Sequence, residues 1–149
     1  MPLKRHQALI NLSRDHYSGL LLASVLKKDT PDFKNMPVDP SDKAEHVKAK
    51  YESELKAHFE TEEKVLFPYI KGRSEEINKI IHELIAEHRI IEQGINSLSE
   101  SSDLVTSLDN VGKLLESHIR KEERQLFESI QELLTEKELI DLEKKLVSG

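Results

Sequence analysis

"HFETEEKVLFPYI" occupies residues 58–70, and "HIRKEERQLFESI" occupies residues 118–130. Both phrases read His-x-x-x-Glu, then a second acid, then Leu-Phe. Residues four apart are neighbours on one face of an α-helix. Each phrase therefore predicts a helix whose apolar side carries a His and, one turn on, a Glu.

The same period extends outward from these two segments. Leu9, Leu12, His16, Leu20 and Ala23 recur at helical spacing and predict helix 1 over roughly 3–28, opened by Pro2. "DTPDFKNMPVDPSD", with three prolines, is the one long connection. Ser41 is a good N-cap with Asp42 and Glu45 behind it, so helix 2 is expected from there to about Ile70, with Pro68 ending or bending its last turn. "GRSEE" stops that helix and caps the next, which carries Ile77, Ile81, Leu84, His88, Ile91, Ile95 and Leu98. Helix 4 follows from about Asp103 to Leu134, and Thr135 with Glu138 forms a capping box for a short fifth helix. Short loops between long helices favour antiparallel neighbours. The expected fold class is all-α, an up-down-up-down four-helix bundle with a short C-terminal fifth helix, forming one domain over residues 1–149.

Composition narrows the chemistry. The chain is rich in Leu, Ile, Glu and Lys and poor in Gly, Pro and aromatics, as helical bundles are. A net charge of −6 and the lack of a basic run argue against nucleic acid as a partner. There is no cysteine, which removes thiolate metal sites, cysteine nucleophiles and disulfides, so any metal must be held by imidazole and oxygen. The first sixteen residues hold no long apolar stretch, so neither a secretory signal nor a membrane span is expected, and a cytoplasmic location is.

Seven histidines are present, and their faces divide them. His16, His58, His88 and His118 each stand inside an apolar stripe where Leu or Ile is expected. His6, His46 and His82 fall on flanks or the surface. The four core histidines lie about 13, 16, 14 and 15 residues from their helix starts, depths that agree within about 5 Å at 1.5 Å per residue. Four imidazoles from four helices thus meet in one layer, with Glu62 and Glu122 a turn beyond. A bare carboxylate in a bundle core costs on the order of several kcal/mol or is neutralised. Two metal ions would satisfy this set: His16 with His58 on one, His88 with His118 on the other, and the two glutamates shared. Glu63 and Glu123 turn about 100° from that face and either support the ligands or face solvent. Leu66-Phe67 and Leu126-Phe127 are read as core packing, and Tyr17, beside His16, is expected to pack rather than approach the site.

"KRHQALINLSRDH", "HFETEEKVLFP", "AEHRII" and "HIRKEERQLF" together resemble the hemerythrin-like, or HHE cation-binding, domain over nearly the whole chain. The resemblance implies a four-helix bundle with a non-haem di-iron centre, two iron ions joined by an oxo or hydroxo bridge. His16, His58, Glu62, His88, His118 and Glu122 would carry it, with manganese or zinc as substitutes. Oxygen-carrying hemerythrins place His-x-x-x-His on helix 3. Here Leu84 precedes His88 by four residues and Glu92 follows it by four, so the fifth histidine is missing.

The expected function is accordingly to bind or respond to dioxygen, peroxide or nitric oxide, in oxygen, redox or iron sensing or in stress protection, rather than simple oxygen carriage. The partner is then a small diatomic ligand or peroxide, with no nucleic acid, no membrane and no pocket for an organic substrate. Three alternatives stay open: a di-iron oxidase or peroxidase, an iron store or iron-responsive module, and a metal-free structural bundle. No catalytic residue beyond the six ligands is assigned.

Overall fold

The computed structural model describes residues 5–148, and it is all-α: no strand occurs among the described residues. Helix α1 spans Gln7–Leu26. Helix α2 is a continuous rod over 40–70, α3 spans Glu75–Asn96, α4 is a second composite rod over 104–133, and α5 spans Glu136–Ser148. Side-chain pairs set the directions. Ser18 meets Glu54 while Asp15 meets His58, so α1 and α2 are antiparallel. Tyr51 meets Glu92 while Glu63 meets His88, and Glu87 meets His118 while Glu83 meets Lys121, so α2, α3 and α4 alternate in turn. Lys27 with Glu116 and Arg5 with Glu123 close the circuit between α1 and α4. This is the up-down-up-down bundle, with α5 as the added fifth helix.

Several helix ends differ from their expected places. The proposed opening at Pro2 lies outside the described residues; the described helix starts at Gln7, where His6 caps it by accepting from the Ala8 amide. Helix α2 starts before Ser41. Its N-cap is Asp39, which accepts from the Ser41 amide, because Pro40 suits the first helical position with its fixed φ and missing N–H. Ser74, Asp103 and Thr135 cap the later helices, and Thr135 with Glu138 exchanges both bonds of a capping box. Gly72, at φ 88°, supplies the left-handed turn before α3. Pro68 stands in the last turn of its rod, which ends at Ile70 as expected.

Both composite rods contain wide π turns: Tyr51–Leu55 and Glu62–Leu66 in α2, and Glu122–Leu126 in α4. Two of the three start at the core glutamates. Steps of four residues drift by about 40° in an α-helix, so His58, Glu62 and Leu66 would spiral off the core face. Widening the turn after each Glu takes up the drift and keeps Leu66, Phe67 and Ile70, and likewise Leu126, Phe127 and Ile130, fully buried.

The apolar core is divided in two. One cluster gathers Leu9, Leu12, Phe67, Leu84 and Phe127 around the α1 N-terminal half and α5. The other gathers Leu26, Phe59, Ile91, Leu115 and Ile119 toward the opposite end. Between them lies a polar layer of His16, His58, Glu62, His88, His118 and Glu122, all buried. No helix among the described residues is long and apolar enough to cross a membrane.

Candidate metal centre

The six residues of the layer come from all four long helices, and the structure brings every one of them together. Their ligand atoms form two overlapping groups, His16–His58–Glu62–Glu122 and Glu62–His88–His118–Glu122, each within 4.8 Å of one another. The two glutamates belong to both groups. Glu62 and Glu122 are wholly buried, as is His88, and the other three imidazoles are nearly so.

Within the layer, His16 Nε2 pairs with Glu122 at 2.9 Å and His88 Nε2 with Glu62 at 3.1 Å. The remaining atoms face each other without bonding. His118 Nε2 lies 3.0 Å from Glu122 Oε1 and His58 Nε2 lies 3.4 Å from Glu62 Oε2, yet all four atoms lack a hydrogen-bond partner. Buried polar atoms are nearly always paired. Four orphans pointed into one layer are what a set of donors looks like when their lone pairs converge on a third body rather than on each other. The donor set of four imidazole nitrogens and two carboxylates suits a pair of borderline divalent metals.

Charge inside the layer is extreme without such a body. Burial alone would lower the His16 pKa, but hydrogen bonds to Glu122 and Glu123 outweigh it and raise the imidazole from 6.5 to about 9. Burial likewise opposes the charged form of His118, and the Glu122 charge beside it raises its pKa to about 10. His58 is pushed well above its ordinary value, against the effect of burial, chiefly by the Glu62 charge. Burial disfavours the Glu122 carboxylate, but His118 and its other partners hold it well below the usual range. The layer therefore balances its carboxylates with imidazolium protons, the positions that a cation would take over.

A second ring of acids holds the imidazoles from outside. His16 Nδ1–H donates to Glu123 (2.6 Å), His88 to Glu63 (2.6 Å), His118 to Glu87 (2.7 Å) and His58 to Asp15 (2.9 Å). Such bonds fix the ring orientation and leave Nε2 for a ligand. The pattern is reciprocal: each acid adjoins one member of the layer and grips a histidine on a neighbouring helix. Glu63 and Glu123, left open between support and solvent, are supports. Asp15 and Glu87 were missed; the available signal was an acid immediately before each of His16 and His88. Phe127 stacks on His16 and Phe59 on His88, so apolar rings flank two of the imidazoles.

Other expectations resolve differently. Tyr17 neither packs nor approaches the layer; it is 76% exposed, because one residue beyond His16 turns it about 100° outward. Glu92 adds no donor and instead accepts from the Tyr51 hydroxyl at 2.8 Å. His6 is half-buried and also reaches Glu136 on α5. The absence of an organic-sized pocket is corrected as well. A cavity of about 420 Å³ opens between α1 and α2 and reaches His16, His58 and His118.

A family model described as Hemerythrin HHE cation binding domain matches residues 4–130. No curated protein and no solved structure matches the chain.

Proposed function

We propose, from the premise that this chain belongs to the hemerythrin HHE cation-binding family, that it is a non-haem di-iron protein that binds or responds to dioxygen, peroxide or nitric oxide. The observation that carries this reading is the pair of overlapping buried His/Glu groups whose facing atoms have no other partner. His16 and His58 would hold one ion and His88 and His118 the other, with Glu62 and Glu122 shared between them. When bound, two irons supply a redox-active pair able to take up a small oxidant or nitric oxide.

The chain's own residues set the conditions for that chemistry. Asp15, Glu63, Glu87 and Glu123 hold the Nδ1 protons, which orients each Nε2 inward and raises its basicity. The two apolar clusters exclude water from both ends of the layer. The cavity between α1 and α2 gives access to the layer from that side. The absence of a fifth histidine beside His88 supports response or protection over simple carriage.

Metal analysis of protein produced on iron tests this directly. The expectation is two irons per chain, falling below one in His118→Ala and Glu122→Ala, with an optical spectrum that changes on anaerobic mixing with dioxygen, peroxide or nitric oxide. A folded wild-type chain that holds well under one metal, or an iron-loaded chain indifferent to all three, would sink the proposal. The cavity favours one second reading, a di-iron oxidase or peroxidase, for which sustained turnover with a defined reductant is the distinguishing result.

A further inference from the structure

The cavity between α1 and α2 has a size, a lining and a charge pattern of its own. The facing sides of the two helices carry small residues, Ser18 and Gly19 on α1 with Ser53 and Ala57 on α2, which leave the space between the helices unfilled. About 420 Å³ falls within the range of organic-ligand pockets, roughly 300–1,000 Å³, and far exceeds what a diatomic molecule needs. Leu12, Leu22, Leu55, Phe59, Leu115 and Ile119 supply an apolar wall, and the inner end reaches His58 and His118, whose buried Nε2 atoms have no partner.

Apart from the three imidazoles of the layer at its inner end, the charged groups of the lining are all of one sign. Asp15, Glu54 and Glu143 contribute carboxylates, and no lysine or arginine lines the cavity. Among the four acids that hold the imidazoles, three carry a cation on their other side: Arg5 on Glu123, Arg89 on Glu63 and Lys121 on Glu87. Asp15 alone has none among the described residues. It is also the most exposed of the four, at 60% against 20–29%, and it is the one that lines the cavity. The near-symmetric pattern is therefore incomplete at one place, and that place is the cavity.

We infer that this cavity binds an organic ammonium ion with an apolar body, its cation on Asp15 where the other three acids have Arg or Lys and its body on the leucine and phenylalanine wall. The inference rests on the metal-centre reading for what the ligand lies beside, and not for its binding. A carboxylate acceptor with a charged donor contributes more than a neutral hydrogen bond. The apolar wall selects against small inorganic cations, and the acids against carboxylates.

The test is calorimetric titration of the full chain, as purified and after zinc loading, with n-octylamine, n-octanol and octanoate at neutral pH, with metal content measured on the same samples. Octylamine is expected to bind at least about tenfold more tightly than octanol, with octanoate weakest. Asp15→Asn keeps an acceptor for His58 Nδ1 while removing the charge, and should weaken octylamine by about tenfold and leave octanol unchanged. Ser18→Trp, a change at an exposed position of the wall, should weaken both. Octanoate binding as well as octylamine, no detectable amine binding, or full amine affinity in both variants overturns the inference. Failure of the metal reading has a different signature, namely well under one metal per chain with selective amine binding intact.

Discussion

At the scale of single residues, the layer is a set of imidazoles gripped at Nδ1 from outside, with each Nε2 turned inward toward the two glutamates. Each grip costs one carboxylate outside the layer, and each is short, 2.6 to 2.9 Å. Removing one frees a ring to rotate. Glu63→Ala and Glu123→Ala should each lower metal affinity by about 10- to 100-fold, read by competition with a chelator of known affinity; unchanged affinity would show that packing alone orients the rings. The protons on these rings also make a prediction for the metal-free chain. His16 and His118 titrate near 9 and 10 when folded against an ordinary 6.5. A pKa raised by folding means that the folded form binds the proton more tightly, so the contribution is fully present below pH 6.5 and is lost as pH rises through 9 and 10. Glu122, depressed by folding, contributes above its ordinary 4.5 and loses that contribution as pH falls through its lower folded value. Thermal melts in a strong chelator should therefore fall steadily from about pH 7 to 10. A flat profile across that window would mean that the layer is not held by imidazolium–carboxylate pairs.

At the scale of elements, the helices were legible because their faces repeat every 3.6 residues. The apolar stripes placed His16, His58, His88 and His118 on one side, and those stripes are the buried faces. The wide turns after Glu62 and Glu122 were not legible, since a π turn adds a residue without any change of composition. The start of α2 is less legible, because Pro40 closes a proline-rich run that looks like connection yet fits the first helical position. Helix spacing also rests on a residue with no side chain. A Cβ on Gly112 of α4 would lie 2.7 Å from the Ala23 carbonyl oxygen and 3.1 Å from Leu26 Cβ, both on α1. Backbone cannot give way as a side-chain tip can, so Gly112→Ala must push the two helices apart. One on Gly94 would meet only Val111 Cγ2 at 3.1 Å, a methyl that shifts by a few tenths of an ångström. Alanine improves helix propensity by about 1 kcal/mol over glycine, while overpacking costs about 1–3 kcal/mol. Urea unfolding should show Gly112→Ala destabilised by up to about 2 kcal/mol and Gly94→Ala stabilised relative to it. Equal effects would show that the α1–α4 contact is looser than the structure has it.

For the whole molecule, the decisive question is what the buried layer does to the bundle that contains it. The level at which the six polar residues meet was legible from helix register, because a fixed rise per residue turns position along each helix into depth. The cavity was not, because it depends on lateral spacing between α1 and α2, and a run of Ser, Gly and Ala reads the same in a tight contact as in an open one. Each apolar cluster draws residues from all four long helices, one on each side of the layer. Either cluster can therefore hold the four rods together without help from the centre, and the imidazolium protons balance the charges that a metal would otherwise balance. The bundle should thus persist when metal is removed. Chelated protein is expected to keep its helical circular dichroism and to unfold cooperatively, at a lower temperature than the loaded form. Adding metal should raise the midpoint as free metal increases, the stabilisation by mass action reaching about 2.7 kcal/mol at a hundredfold excess over the dissociation constant. Collapse of helix on chelation, restored by ferrous iron, would mean that the metal supplies the folding energy, and would favour an iron-responsive module over a preformed centre. A midpoint that ignores both chelator and metal would remove the metal from the layer altogether.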